Sequence, residues 1–193
     1  MTNPDGAPAP RTVLNVGCGP RGSSRLHEHF PPPEWREIRL DIDPAVAPDI
    51  LASVTDMAAL PDAAVDAVWS SHNLEHLHRH DVPTALRECL RVLKPGGTLI
   101  AMVPDLQTVA ARIAEDRLHE TLYVSATGPI TALDVVFGHT AAIAAGNGFM
   151  AHRTGFTPTL LGQSLSEAGF APIRLRRTAD YELVAIAQRP PAP

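Results

Sequence analysis

Two groups of residues in this 193-residue chain have the types and spacing to do chemistry. The first is rich in histidine. His72, Glu75 and His76 stand at i, i+3 and i+4, His78 and His80 follow, and His152-Arg153 lies far downstream. Imidazole exchanges protons near neutral pH, so a histidine at a ligand site is a natural base. The His72, Glu75, His76 set would share one face of a helical turn. With His139 or His152 it would offer three or four nitrogen and oxygen ligands to a metal ion. The second group is Gly17-x-Gly19-x-x-Gly22, directly after the apolar run Thr12–Val16. A strand, a glycine turn and then a helix expose backbone N–H groups that attract anionic or carboxylate-bearing ligands. Glycine is needed there because a Cβ would obstruct the ligand and the positive φ of the turn. The glycine spacing alone is a weak signal.

The elements that must carry these residues read as alternating strands and helices. Arg21 to Phe30 is the expected first helix, stopped by Pro31-Pro32-Pro33. Glu37 to Asp41 is the second strand, and it ends on an acid about twenty positions past Gly22, where α/β nucleotide sites hold ribose hydroxyls. The alternative is that Asp41 and Asp43 only solvate a loop before Pro44. Asp49 to Val54 is a weak third strand and Val65 to Trp69 a buried fourth, closed by Ser70, Ser71 and His72. Asp81 is placed to cap a helix carrying Leu86, Cys89, Leu90 and Leu93 on one face, which Lys94-Pro95-Gly96-Gly97 ends. Thr98 to Val103 is apolar throughout, as a central parallel strand should be. A helix over Asp105 to Leu118 follows. From Glu120 to Gly155 the pattern dissolves, and so long a weakly patterned stretch suits a lid or substrate wall. A helix opened by Thr157-Pro158 and a strand pair, Ile173 to Arg177 and Tyr181 to Ala187, close the chain. The expected fold is a single α/β domain: a doubly wound, mostly parallel seven-stranded Rossmann-like sheet with a final antiparallel strand.

Composition narrows the partners. Sixteen basic and twenty-one acidic residues give a net charge of −5, which argues against a nucleic-acid backbone as partner. Two cysteines form no disulfide framework, no run approaches membrane-spanning length, and a cytoplasmic monomer or homodimer is expected. Prolines crowd both ends, so residues 1–10 and 189–193 are expected to be flexible.

Four pieces then align: "VLNVGCG", "LDID", "TDMAALPDAAVDAVWSSHNLEHL" and "RVLKPGGTLIAMVPD". Together they resemble the class I S-adenosylmethionine-dependent methyltransferases, in particular small stand-alone bacterial members. The resemblance implies that Gly17, Cys18 and Gly19 pass beneath the cofactor, with Cys18 packing rather than reacting. It implies that Asp41 takes the ribose hydroxyls, Ile42 packs on the adenine, and Asp56 accepts from its amino group with the Met57 backbone beside it. Ser70, Ser71 and His72 would face the sulfonium methyl. The usual third glycine of the turn is replaced here by Arg21-Gly22 after Pro20. Some methyltransferases also carry an acid followed by Glu-His at this spacing and use a divalent cation. Here His72 stands in place of the first acid, which favours zinc-like ions in the His72, Glu75, His76 alternative. The main expectation is that no metal is used.

The expected function is methyl transfer from S-adenosylmethionine to an O, N or S atom of a small molecule. His72 and His152 are the candidate bases, and Asn73 and Arg153 the candidate substrate contacts, Arg153 as a clamp for a carboxylate or phosphate. His76 is expected to be structural, and His78 and His80 solvated. Residues 120–155 should cover the site and deliver His152 and Arg153. Two alternatives stay open: a catalytically silent cofactor-binding partner subunit, and an NAD-dependent oxidoreductase using the same glycines and ribose acid.

Overall fold

A computed structural model describes residues 9–22, 25–125 and 127–192. The expected flexibility of residues 1–8 and 193 lies outside the described residues. Five strands, β1 (Arg11–Val16), β2 (Trp35–Asp41), β3 (Ile50–Leu51), β4 (Val65–Ser71) and β5 (Leu93–Pro104), run parallel. Two more, β8 (Ile173–Arg177) and β9 (Glu182–Gln188), complete the sheet in the order β3-β2-β1-β4-β5-β9-β8. Strand β9 is antiparallel to both of its neighbours, so the last strand in the chain is interior to the sheet. This order matches that of dinucleotide-binding sheets through β5 and departs from it at the antiparallel β9-β8 pair.

Burial on both faces explains the near-continuous apolar strands. One face packs Leu14, Val16, Val68, Leu99, Ala101 and Leu183 beneath helices α2 (Val82–Val92) and α6 (Pro158–Glu167). The other packs Val13, Trp69, Ile100, Met102 and Val184 beneath α1 (Leu26–His29), Phe30 and Trp35. Helix α1 is one turn, shorter than the expected Arg21–Phe30, and β3 is only two residues. Asp81 precedes α2 in helical conformation without a side-chain cap bond, a correction to the expected cap.

Helix α2 ends at Val92, and Lys94-Pro95-Gly96-Gly97 forms an excursion inside β5. Val65 pairs Leu93 while Ala67 already pairs Thr98. The C-terminal carbonyls of α2 are met by Arg189, which donates from Nη1 to the oxygens of Leu90, Arg91 and Leu93 at 3.1, 2.9 and 2.6 Å. A cation at a helix C-terminus satisfies orphan carbonyls and the helix dipole. Residue 189 is therefore anchored, contrary to the expected flexible end.

The stretch expected to be unpatterned is folded. After α3 (Leu106–Ala114), a hairpin of β6 (Thr121–Ser125) and β7 (Gly128–Thr131) leads to α4 (Ala132–Phe137) and α5 (Thr140–Ala144). Val109, Ile130, Ala132 and Val135 form a small core of their own with Leu106, Leu122 and Tyr123 around it. The first half of this excursion therefore packs on α3, while Phe149 and Arg153 near its end line the cleft described below.

Candidate functional site

The C-terminal ends of β1, β2 and β4 meet at one cleft, the place where open α/β sheets bind ligands. Its lining includes Gly17, Asp41, Ile42, Asn73, His76 and Arg153. Gly17 and Gly19 both have positive φ, +63° and +59°. A Cβ on Gly17 would stand 2.5 Å from Asn73 Oδ1, so the turn can lie this close to the segment after β4 only as glycine.

Asp41 organises the turn from the tip of β2. Its Oδ2 accepts from the Gly19 N–H at 2.9 Å and its Oδ1 from the Asp43 N–H at 3.0 Å. Each carboxylate oxygen keeps a further lone pair for a ligand. Asp43 accepts from the Ala45 N–H and opens a short turn over Pro44–Val46. Arg39, unforeseen from the sequence, is buried below and donates to the carbonyls of Gly19, Val46 and Ala47. It ties the glycine turn to the loop after β2. Ile42 and Phe149, each about half exposed, supply apolar surface to the cleft.

Several residues expected near the cofactor do not line this cleft. Cys18 is buried, and burial pushes its thiol up to about 11, so it packs as an unreactive neutral group. Asp56 is exposed and accepts from Ala58, while Met57 is fully buried with its N–H donated to Glu88. Neither lines the cleft, whose wall here is Ala52 to Thr55. Ser70 is buried within the sheet, and neither it nor Ser71 lines the cleft. The β4 residue facing inward is a sheet residue; the contact surface begins at Asn73.

The histidines are arranged differently from expectation. His72 has φ +49°, a strained conformation for a residue with a Cβ, and its N–H donates to Met102. Its two ring nitrogens meet two carboxylates: Nδ1 to Glu75 Oε1 at 3.2 Å and Nε2 to Glu182 Oε1 at 2.8 Å. Burial would lower its pKa, but these two bonds outweigh it and raise it to about 10. An imidazolium donating from both nitrogens has no lone pair for a substrate proton, so His72 is not placed as a base. Arg25 donates to Glu182 from the far side at 3.3 Å, extending the chain of alternating charge.

Beyond Glu75 the chain continues to His76 and His152. Glu75 is 1% exposed, and its Oε2 has no hydrogen-bond partner among the described residues. His76 donates from Nδ1 to the Ala151 carbonyl at 3.1 Å, and His152 from Nδ1 to the Val135 carbonyl at 2.8 Å. Both tautomers leave Nε2 with its lone pair. The rings meet edge to face at 4.8 Å, and one ligand-capable atom from each of Glu75, His76 and His152 lies within 4.8 Å of the others. Burial holds the pKa of His152 below the usual histidine value. His139 is outside this cluster. The returning chain is stitched on by the N–H groups of Arg153 and Thr154, both donated to the Glu75 carbonyl at 2.8 and 3.1 Å. The exposed guanidinium of Arg153 makes no hydrogen bond or ion pair with the described residues.

Residues 14–101 match the family described as Methyltransferase domain. The chain is 37% identical over 109 residues to the 2-methyl-6-phytyl-1,4-hydroquinone methyltransferase of Synechocystis sp., covering 50% of this chain and 33% of that protein. It is 33% identical over 133 residues to the trans-aconitate 2-methyltransferase of Methylobacterium radiotolerans, covering 64% of this chain and 47% of that protein. The chain thus spans a third to a half of the length of these curated relatives. Among solved structures it resembles the 1,6-didemethyltoxoflavin-N1-methyltransferase of Burkholderia thailandensis, with TM-score 0.59 at 18% identity, covering 94% of this chain and 72% of that one. A methyltransferase structure from Methanosarcina mazei gives TM-score 0.61 at 16% identity, over 96% and 95% of the two chains. These likenesses show the fold.

Proposed function

We propose that this chain, whose residues 14–101 match the Methyltransferase domain family, is a class I S-adenosylmethionine-dependent methyltransferase that methylates an O, N or S atom of a small molecule. The observation that carries this reading is the single cleft shared by the glycine turn, the Asp41 carboxylate and a wall of polar groups from after β4. The residues present fit S-adenosylmethionine. Asp41 offers acceptor lone pairs to ribose hydroxyls, Ile42 an apolar platform to the adenine, and Gly17 a stretch of floor with no Cβ. Asn73 lines the same cleft, and its buried Nδ2 lacks a hydrogen-bond partner among the described residues.

When bound, the cofactor supplies a methyl group on a positively charged sulfur. The protein's part is to hold the acceptor in line and help it lose a proton. Arg153 would clamp an anionic group of the acceptor, and activation of the acceptor falls to the Glu75, His76 and His152 cluster. Small-molecule acceptors are the class named for the similar curated methyltransferases.

A thermal-shift titration tests the reading. S-adenosylhomocysteine at a hundred times its dissociation constant should add about 2.7 kcal/mol of stability. NAD should add none. Equal stabilisation by NAD would overturn the assignment.

A further inference from the structure

We propose that Glu75 Oε2, His76 Nε2 and His152 Nε2 form a binding site for a first-row divalent metal ion, zinc foremost, that holds a hydroxyl oxygen of the acceptor. Three observations support the site together. A carboxylate oxygen with no hydrogen-bond partner sits on a residue buried to 1% exposure. Leaving such a group unsatisfied is costly, so it calls for a partner. Two imidazoles beside it have their Nδ1–H groups already donated to backbone carbonyls, which fixes the tautomer and leaves each Nε2 as a donor atom. Carbonyl partners of this kind are the usual outer support of metal-ligating histidines. One ligand atom from each of the three residues lies within 4.8 Å of the others. A tetrahedral ion with bonds of about 2.1 Å has ligands roughly 3.4 Å apart, so closure needs side-chain adjustments of about an ångström.

His72 belongs to the outer support and not to the ligand set. It donates to Glu75 Oε1 and is itself held by Glu182, which leaves Oε2 as the atom turned to the ion. Two imidazoles and one carboxylate suit zinc or a similar first-row ion better than magnesium. Three protein ligands leave at least one position for substrate.

His76 and Arg153 line the same cleft, so an acceptor carrying a hydroxyl near a carboxylate could reach both the ion and the guanidinium. The ion would ease loss of the hydroxyl proton to water, and the imidazoles would serve as ligands instead of bases. This last step rests on the methyl-transfer reading; the ion site does not.

The test starts from protein stripped with a chelator and titrated with Co2+ as a visible probe, then with Zn2+ in competition. One equivalent should bind with ligand-field absorption. His152→Ala and Glu75→Gln should each weaken binding by at least about 100-fold, beyond what loss of an outer partner costs. His80→Ala, on the exposed surface, should change nothing. If Glu75→Gln does not fold, His152→Ala carries the comparison. Wild-type binding no tighter than that of His152→Ala, or binding lost in His80→Ala, overturns the site. Salicylate should shift the Co2+ absorption of the wild type, and no shift overturns the acceptor half. An S-adenosylhomocysteine shift without metal binding leaves the methyltransferase reading and removes the metal. Metal binding without that shift does the reverse.

Discussion

Asp41 has two structural bonds and a proposed ligand role on one carboxylate. It pins the glycine turn through Gly19 and the following loop through Asp43, and offers its remaining lone pairs to the ribose. Asp41→Ala should therefore weaken S-adenosylhomocysteine binding by roughly 1.5–3 kcal/mol in calorimetry, the scale of lost charge-assisted hydrogen bonds. An unchanged affinity would move the ribose role to another acid. This residue was readable because its distance from the glycines and its place at a strand end are local facts. The partners of His72 were not. Glu182 lies 110 residues away in a strand that otherwise reads as apolar, and only the pairing of β9 with β5 brings it to the tip of β4. The double carboxylate contact changes His72 from candidate base to fixed cation, and no feature near residue 72 signals it. Arg39 was hidden for a similar reason. In "EIRLD" it reads as a charge alternating outward, but the loop after β2 folds back and covers it.

At the scale of elements, the excursion between α3 and α6 is held by a capping box. Thr131 Oγ1 accepts from the Asp134 N–H, and Asp134 accepts from the Thr131 N–H and hydroxyl and from the Thr140 N–H. Burial would raise the Asp134 carboxyl, but these donors hold it well below the usual carboxylate range. Asp134→Ala should cost about 1 kcal/mol, and hydrogen exchange in residues 128–145 should quicken about fivefold. A depressed folded-state pKa stabilises above the unfolded value and fades as pH falls. The gap between wild type and variant in urea melts should thus be full above about pH 4 and close on further acidification. The signature Thr-x-x-Asp before "VVF" stood in the sequence and could have identified α4. What periodicity could not reveal was the small core on α3, because its residues come from three short elements. Phe137 remains 62% exposed even so, outside that core.

For the molecule as a whole, the parallel half was legible because a strand buried on both faces must be apolar throughout, as Thr98 to Val103 is. The order of the last two strands was not, since Ile173 to Arg177 and Tyr181 to Ala187 read simply as a closing strand pair. That pair closes onto α2 through Arg189. Arg189→Ala should lower unfolding stability by about 1–2 kcal/mol in denaturant melts, as three carbonyls lose a charged donor. No loss would mean that water replaces the guanidinium without cost. Among the described residues no helix is long and apolar enough to cross a membrane.

The interior position of β9 also sets an order of events in time. Strands β1 to β5 can pair as they are synthesised, yet β5 keeps an open edge until the last strand arrives, and β8 has no sheet to join before then. The nascent chain must therefore wait with an apolar edge exposed, the state most open to aggregation and to chaperones. Glu182, which anchors His72, stands at the start of that same strand. The charge network of the site is therefore assembled late, and a ribosome-bound chain short of residue 182 would hold the glycine turn and Asp41 but not a set His72.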